Sequence, residues 1–162
     1  MPFKVRLCFV CLGNICRSPT AAGVMRHLVR AAGLESQIEV ESAGTSGYHI
    51  GQAPDVRACA AGLRREIEVS GAARQFSRTD FDRFDYVLAM DRDNFDNLMR
   101  LATPAQARKV FLLRRFDPSA PPDAAVPDPY YGDDAEFDEV VEQCLSACRG
   151  LLEHIQKEHP LR

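Results

Sequence analysis

The amino-acid sequence predicts a single α/β domain over residues 1–162, in which a twisted, four-stranded parallel sheet is flanked by helices in three layers. Stretches of strand length alternate along the chain with stretches of helical periodicity, as in proteins built from parallel strands and crossover helices. The first strand is apolar at almost every position, which is typical of a sheet covered on both faces. With 162 residues, the chain has the length of one domain. In such sheets a ligand binds at the carboxyl ends of the strands.

Four strands are predicted from apolar or alternating runs, at positions 5–10, 38–42, 86–90 and 109–113. The first helix is expected to start at Ser18-Pro19-Thr20 and to carry an apolar stripe. It is expected to end at Gly33, a residue type favoured just beyond a helix. A second helix is expected to begin near Pro54 and Asp55. Its buried face is expected to consist of four residues: Val56, Cys59, Ala60 and Leu63.

Two more helices complete the pattern. Asp91 is a good N-cap for the first of them, which is expected to stop at Thr103 and Pro104. The last helix carries an apolar face that extends from Phe137 to Ile155. Residues 66–76 show no clear pattern, and two phenylalanines at 81 and 84 are expected to anchor a short turn before the third strand.

The stretch from Cys11 to Ser18, Cys-Leu-Gly-Asn-Ile-Cys-Arg-Ser, connects the first strand to the first helix. Gly13 and Asn14 are residue types that readily adopt the left-handed backbone of an anion-binding nest, and the helix N-terminus adds positive charge. Arg17 supplies a planar donor fork that fits two oxygens of a phosphate-like anion. This positive environment favours the thiolate of Cys11, which is the nucleophilic form.

A thiolate, a guanidinium and an anion nest in one loop predict covalent phosphoryl transfer. Ser18 is expected to cap the helix and also to reach the sulfur of Cys11. No Gly-Lys-Ser/Thr follows the loop, so it is not a Walker-type loop and nucleotide hydrolysis is not implied.

Composition and charge argue against some classes of binding partner. A formal net charge of −3 argues against a nucleic acid or an anionic membrane surface as partner. The apolar run from Leu7 to Leu12 is too short for the core of a signal peptide, and no stretch reaches transmembrane length. We therefore expect a cytoplasmic protein with no membrane partner.

The six cysteines do not suggest a disulfide framework. Four of them fall on apolar faces and are expected to be buried small hydrophobes: Cys8, Cys59, Cys144 and Cys148. The Cys8-x-x-Cys11 pair is half of a zinc or redox motif, but no second pair completes it. The histidines at 27, 49, 154 and 159 have no ligand spacing and are expected at surface or capping positions. The sequence thus predicts no metal and no cofactor.

A second informative region is the segment 114–134, which contains half of the ten prolines and several aspartates. A loop of this length inside a compact domain usually has a function. Release of an ester oxygen requires a proton donor, and Asp128, stiffened by Pro129, is the candidate. The adjacent Tyr130 and Tyr131 could form the walls of a pocket for a flat aromatic group.

Together these motifs, with Ser42-Ala43-Gly44-Thr45, Ala73-Arg74-Gln75 and Phe84-Asp85-Tyr86-Val87-Leu88-Ala89-Met90-Asp91, resemble the low-molecular-weight protein tyrosine phosphatases over essentially the whole chain. The resemblance implies a four-stranded parallel α/β domain. It also implies hydrolysis of protein phosphotyrosine and small aryl phosphates, with inorganic phosphate as product.

The resemblance also implies a role for each site residue. Cys11 would form a phosphocysteine, and Asp128 would protonate the leaving phenol and then activate water. Arg17 and the loop amides would bind the phosphoryl oxygens; the amides belong to Leu12, Gly13, Asn14, Ile15, Cys16 and Arg17. Ser18 would stabilise the thiolate, and Asn14 would hold the loop in shape with Ser42. Five side chains would line the aromatic pocket: Leu12, Ile15, Tyr48, Tyr130 and Tyr131. Cys16 would form a reversible, protective disulfide with Cys11.

The chain departs from the family pattern near residues 66–75. Family members commonly have Gly before the position of Ile67 and a His shortly before Ala73-Arg74-Gln75, whereas this chain has Glu66 and Gly71-Ala72. The effect of the missing His on loop rigidity and on the thiolate is left open. The physiological phosphoprotein, a monomeric or weakly dimeric state, and a regulatory use of Cys16 also stay open.

Three alternatives are disfavoured by the sequence. A thiol-dependent arsenate reductase on this scaffold needs two further cysteines in the segment 80–95, which has none. A protein-arginine phosphatase carries Thr where Ile15 stands. A non-enzymatic phosphate-binding module would arise most readily by loss of Cys11, Arg17 or Asp128, and all three residues are present.

Overall fold

The computed structural model describes residues 2–161, in which four parallel strands form one sheet of order β2-β1-β3-β4. The strands are β1 (Val5–Cys11), β2 (Ile38–Gly44), β3 (Tyr86–Ala89) and β4 (Val110–Leu112). The helices are α1 (Arg17–Ala31), α2 (Val56–Leu63), α3 (Asp80–Arg83), α4 (Arg92–Leu101), α5 (Pro104–Ala107) and α6 (Asp134–Glu158). A 3₁₀ turn (Leu113–Phe116) follows β4. The predicted fold class is confirmed.

Each face of the sheet is covered by its own apolar cluster, which produces the three layers. On one face, Leu7 and Phe9 of β1 pack with buried residues of α1 and α6, including Met25 and Val141. On the other face, Val10 belongs to a cluster with α3 and α4 residues. Because β1 is covered on both sides, its side chains are apolar at nearly every position.

The sheet order places the switch point at β1, which pairs with β2 on one side and with β3 on the other. The segments that leave the carboxyl ends of β1 and β3 therefore begin side by side. Cys11 ends β1, and Asp91 follows β3. This edge of the sheet is where ligands bind in open parallel sheets.

The predicted buried face of α2 is wrong. Val56 and Leu63 are 80% and 67% exposed, whereas Ala58, Ala61 and Gly62 are buried. The reason is the close approach of the segment after the helix: a Cβ at Gly62 would lie 2.7 Å from the Ile67 carbonyl oxygen. Only small side chains fit on that side, so the large ones face outward.

Other boundaries differ in smaller ways. The helix α1 begins at Arg17, one residue before the predicted start at Ser18. The predicted capping role of Ser18 is wrong, because its hydroxyl bonds to Cys11 and to the Ala43 carbonyl instead. Thr103 and Pro104 end α4 as predicted, but they also open α5 through a capping box with Gln106. Within residues 2–161, no helix is both long and apolar enough to cross a membrane.

Candidate active site

The thiol of Cys11 lies at the carboxyl end of β1 and is only 3% exposed. Its Sγ atom is 3.0 Å from the Ser18 hydroxyl, and the Asn14 amide donates to it over 3.3 Å. A thiolate can only accept hydrogen bonds, so in the ionised form the Ser18 hydroxyl donates to the sulfur. Two donors therefore stabilise the nucleophilic form of Cys11.

Asn14 holds the Cys11 loop, which comprises residues 11–18, in its conformation. Its backbone is left-handed, with φ of 58°, a geometry that Asn tolerates better than most residues. Its buried side-chain amide donates to Ser18 over 2.8 Å and to Ser42 over 2.9 Å, and its oxygen accepts from the Arg74 amide over 3.0 Å. One side chain thus joins the loop to β2 and to the segment before α3.

The carbonyl groups of the Cys11 loop bond to the segment that follows β2. The Thr45 and Ser46 amides donate to the carbonyls of Cys11 and Leu12, and the Asp55 amide donates to that of Ile15. Gly44 is required beside the loop, because a Cβ there would lie 2.7 Å from the Leu12 carbonyl oxygen. The loop backbone is therefore fixed from outside the pocket.

Arg17 is buried at the start of α1 and is oriented by the acidic residue that follows β3. Its Nη1 donates to Asp91 Oδ2 over 2.6 Å and to the Val126 carbonyl over 3.1 Å. Burial opposes the charged guanidinium, but the negative Cys11 sulfur, the Asp91 hydrogen bond and the carboxylates of Asp91 and Asp128 outweigh it and raise the pKa of Arg17. Arg17 is thus a fixed cation beside Cys11.

A second acidic residue near Arg17 is Asp128, which belongs to the loop of residues 117–133, called the Asp128 loop below. Its side chain is 47% exposed, and Oδ2 lies 3.8 Å from Arg17 Nη2. The Tyr130 amide donates to Asp128 Oδ1 over 3.1 Å, which is the local turn expected when Pro follows Asp. The carboxylate therefore faces the same cation as the sulfur of Cys11.

These groups line a pocket of about 270 Å³. Ten residues form its walls: Cys11, Leu12, Gly13, Ile15, Cys16, Arg17, His49, Asp128, Tyr130 and Tyr131. Of the predicted site residues, Asn14, Ser18 and Ser42 lie behind the loop rather than in the wall. Tyr48 also lies outside the wall and is 84% exposed, and the neighbouring His49 stands in the pocket instead.

The other cysteines differ from Cys11 in their surroundings. Burial raises the pKa of the Cys16 thiol to about 12, with further contributions from Asp55 and Asp128, and burial raises that of Cys144 to about 12. Burial also raises the pKa of Cys8, Cys59 and Cys148. All five therefore stay neutral thiols near neutral pH. Among residues 2–161, no group of three or more His, Cys, Asp or Glu residues is placed to hold a metal ion.

The sequence does not predict two residues of the site. It predicts a capping role for Asp91, whose Oδ1 accepts from the Asn94 amide, but Oδ2 also accepts from Arg17. Its position directly after a buried strand next to β1 was an available signal. His49 gave no such signal, because its direction depends on an irregular loop in which Nδ1 contacts Gln52.

The region that departs from the family pattern still supports the Cys11 loop. Glu66 has a left-handed backbone with φ of 58°, the conformation for which Gly is suited. The Arg74 amide binds Asn14, and Arg74 Nη1 pairs with Asp80 over 3.0 Å. The link from this segment to the loop is therefore made by backbone and by Asn14.

The switch-point position and the side chains around it define the class of the protein: a parallel α/β protein whose anion-binding loop carries a buried thiol and a fixed guanidinium. Comparison with known sequences gives the family. Residues 6–161 match the family described as low molecular weight phosphotyrosine protein phosphatase. The chain belongs to this family and is therefore a phosphatase, a kind of hydrolase.

Individual relatives agree with the family match. The chain is 44% identical over 147 residues to the human low molecular weight phosphotyrosine protein phosphatase, covering 90% of this chain and 92% of that protein. It is 45% identical over 155 residues to the low molecular weight protein-tyrosine-phosphatase of Streptomyces coelicolor, covering 94% of each. A crystal structure of a protein tyrosine phosphatase from Entamoeba histolytica, with Hepes in the active site, has a TM-score of 0.92 at 36% identity, covering 95% of this chain and 98% of that one. The predicted family and enzyme class are confirmed.

Proposed function

We propose that this protein hydrolyses phosphotyrosine in proteins, and small aryl phosphates, through a phosphocysteine on Cys11. The observation that carries the proposal is the meeting of three groups at one pocket: the Cys11 thiol, the Arg17 guanidinium and the Asp128 carboxyl group. They supply a nucleophile, a cation for the phosphoryl oxygens and a proton donor. Inorganic phosphate is the second product.

In the first step, the Cys11 thiolate attacks phosphorus from the floor of the pocket. The S–P bond forms while the bond from phosphorus to the phenolic oxygen breaks, and Asp128 gives its proton to that oxygen. The tyrosine leaves neutral, and the enzyme holds phosphocysteine with an ionised Asp128. A proton on the leaving oxygen matters most when the phenolate is a poor leaving group.

In the second step, Asp128 accepts a proton from water while the water oxygen attacks phosphorus. The S–P bond breaks, phosphate leaves, and the thiolate of Cys11 returns. The hydrogen bonds from Ser18 and the Asn14 amide stabilise the sulfur as a leaving group in this step, as they do as a nucleophile in the first. The same carboxyl group thus acts first as acid and then as base.

The backbone and Arg17 would hold the phosphoryl oxygens. The N–H of a peptide unit points away from its C=O, and the carbonyls of Cys11, Leu12 and Ile15 bond outward to the segment after β2. The amides of Leu12, Gly13 and Cys16 therefore point to the pocket side. Arg17 Nη1 is engaged by Asp91, and Nη2 faces the pocket with Asp128.

The shape of the pocket supports an aromatic ester. Since the Cys11 thiol is nearly inaccessible, a phosphoryl group must enter on a side chain long enough to reach the floor. Tyr130 and Tyr131 stand at right angles with ring centroids 5.0 Å apart, and with Leu12 and Ile15 they give flat apolar walls. A phenyl phosphate suits such a slot better than a short serine phosphate does.

Cys16 lies in the wall of the same pocket, and we propose that it protects Cys11 from over-oxidation. A peroxide would oxidise the Cys11 thiolate to sulfenic acid. The Cys16 sulfur would then form a disulfide with it and release water, and a dithiol would restore both thiols. With Cys16→Ser, peroxide inactivation should become irreversible, whereas an equally reversible inactivation would remove this role.

The direct test is to trap the intermediate. An aryl phosphate is mixed with the enzyme, the reaction is quenched with an alkaline denaturant within one turnover, and peptides are mapped by mass spectrometry. Phosphate is expected on Cys11, with none in Cys11→Ala. Cys59→Ser is the matched control, because Cys59 is a partly buried thiol on α2, and this variant should be trapped like the wild type. Turnover without phosphate on Cys11 would overturn the proposed mechanism.

A further inference from the structure

Arg57 links the two loops of the active site from outside the pocket. It lies in the first turn of α2, two residues after the N-cap residue Asp55. The Asp55 amide donates to the Ile15 carbonyl of the Cys11 loop over 2.8 Å. Asp55 is therefore attached to the loop that carries the nucleophile.

The Asp55 carboxylate holds Arg57 in a fixed orientation. Its Oδ1 accepts from the Arg57 backbone amide over 2.8 Å and from Nε over 3.1 Å, while Oδ2 accepts from Nη2 over 2.9 Å. Contact through both carboxylate oxygens fixes the plane of a guanidinium as well as its position. Arg57 is thus oriented by Asp55 and not by solvent.

The guanidinium faces two aromatic rings. Its Cζ atom is 4.5 Å from the ring centroid of Phe137 in α6 and 5.5 Å from that of Tyr130 in the Asp128 loop. Phe137 is buried and cannot move far, whereas Tyr130 is exposed. Cation–π attraction at these distances links the exposed ring of Tyr130 to the buried ring of Phe137 through the guanidinium.

Tyr130 passes this restraint to Asp128. Its backbone amide donates to Asp128 Oδ1 over 3.1 Å, so the position of Tyr130 sets the direction of the carboxyl group. A continuous series of contacts therefore runs from the Cys11 loop through Asp55, Arg57 and Tyr130 to Asp128. Each of these contacts is a hydrogen bond, an ion pair or a cation–π contact at the distance given above.

We propose that Arg57 is a positioning residue for the proton donor: it holds Tyr130, and thereby Asp128, in register with the Cys11 loop. The proposal rests on the proposed function, since it presumes that Asp128 donates the proton to the leaving oxygen. It does not require Arg57 to contact substrate, and Arg57 lies outside the residues that form the pocket wall. Its loss should affect the step in which Asp128 acts and leave the attack by Cys11 intact.

Leaving-group dependence separates this role from a merely structural one. A proton donor out of position slows the release of phenol, a poor leaving group, and hardly affects dinitrophenol, which leaves without a proton. A general loosening of the fold would slow both. The parameter to compare is kcat/KM, because it reports the steps up to release of the phenol.

The experiment compares Arg57→Met with Arg64→Met on phenyl phosphate and 2,4-dinitrophenyl phosphate. Arg64 is the matched control, because it ties α2 to α6 through Asp138 over 2.8 Å but lies away from the pocket. With Arg57→Met we expect kcat/KM for phenyl phosphate to fall roughly 10–100-fold, the range for a displaced catalytic group, and that for dinitrophenyl phosphate to change less than about twofold. Arg64→Met should change neither.

The same variant in an Asp128→Ala background should cause no further loss on phenyl phosphate, since Arg57 would then have nothing to position. Equal losses on both substrates, or a full additional loss in that background, would overturn the proposal. If Met at position 57 prevents folding, Arg57→Gln gives the same comparison, because it removes the cation and keeps a polar side chain beside Asp55. If Asp128→Ala alone shows no leaving-group dependence, the acid assignment of the proposed function fails instead.

Discussion

Compared with the Asp128 loop, the Cys11 loop is largely buried, continuous with the central strand β1 and cross-linked by the Asn14 side chain. Its carbonyls bond to the segment after β2. The Asp128 loop is largely exposed and attached to the fold at separate points. Asp117 bonds to Ser146 of α6, the Ala125 carbonyl accepts from Arg114, and the Val126 amide donates to the Met90 carbonyl.

The difference matches what each loop would do. In the proposed mechanism, attack by sulfur on phosphorus would tolerate little displacement, and the backbone of the Cys11 loop would set its geometry. Proton transfer to the leaving group would occur where substrates of different shape enter, and a loop on the surface can accommodate them. The following predictions test this division, from the largest expected effect to the smallest.

Asp128→Asn keeps the size of the side chain and removes the proton. We expect turnover of phenyl phosphate to fall by about 10²–10⁴, the usual contribution of a general acid, with the fold unaffected because Asp128 is exposed. Steady-state kinetics with Asp123→Asn, an exposed aspartate of the same loop, provides the control. Near-normal rates in Asp128→Asn would remove this residue as the acid.

Asn14→Ala should destabilise the whole protein, since it removes three hydrogen bonds. It also places Ala in a left-handed backbone conformation, which is less favourable for Ala than for Asn. The free energy of unfolding should fall by about 2–4 kcal/mol, measured by urea denaturation. Asn14→Gly loses the same bonds without the backbone strain and should recover part of the loss. A cost below about 1 kcal/mol in Asn14→Ala would contradict the idea of a cross-linked loop.

Asp91→Asn should weaken phosphate binding without removing the helix cap. An Asn oxygen can still accept from the Asn94 amide, but its NH₂ group then faces the Nη1 donor of Arg17. We expect kcat/KM for aryl phosphates to fall roughly 10–100-fold and inhibition by inorganic phosphate to weaken. The neighbouring exposed Asp93→Asn should behave like the wild type. Unchanged phosphate inhibition in Asp91→Asn would show that Arg17 keeps its position without this partner.

Ser146→Ala tests the attachment of the Asp128 loop. Burial opposes ionisation of Asp117, but hydrogen bonds from Ser119 and Ser146 and the Arg114 charge outweigh it and lower its pKa. A lowered pKa means that ionised Asp117 stabilises the fold above the ordinary carboxyl range near 4, and that this stability is lost as pH falls through the lowered value. Without Ser146, stability at pH 7 should fall by about 1 kcal/mol and acid unfolding should begin at a higher pH.

Thermal melts between pH 2 and pH 7 give this comparison, and Ser36→Ala, at an exposed serine, is its control. Activity in Ser146→Ala should change little, because Val126 and Arg114 still hold the loop near the pocket. If the acid-unfolding curves of Ser146→Ala and wild type coincide, Asp117 does not depend on this hydroxyl.

The sequence predicted the sheet and the Cys11 loop well because both follow from local rules. Apolar runs mark buried strands, and Gly, Asn and Arg at those positions mark an anion nest. The buried face of α2 was not predictable, because its small side chains respond to the backbone of Ile67, which is tertiary information. The second role of Asp91 was not predicted either. Its capping role follows from the local sequence, whereas the contact of Oδ2 with Arg17 depends on the tertiary fold.

His49 and Tyr48 show most clearly that side-chain direction in an irregular loop is not predictable from the sequence. They are adjacent in an irregular segment, so one residue of register decides which side chain enters the pocket, and an aromatic pocket favours Tyr on chemical grounds. The backbone places His49 there, beside Gly13, where a Cβ would lie 2.8 Å from the imidazole Cδ2. Side-chain direction in such loops follows from contacts that no periodicity encodes.

The bonds of Asn14 and Arg17 also bear on how the protein folds. These two residues join positions 14 and 17 to positions 42, 74, 91 and 126, which are far apart along the chain. Contacts of such high sequence separation form late, after the entropy of closing long loops has been overcome. During refolding, phosphatase activity should therefore appear with the last cooperative phase. The hydrogen bonds that stabilise the Cys11 thiolate should be absent from a chain that has only begun to fold.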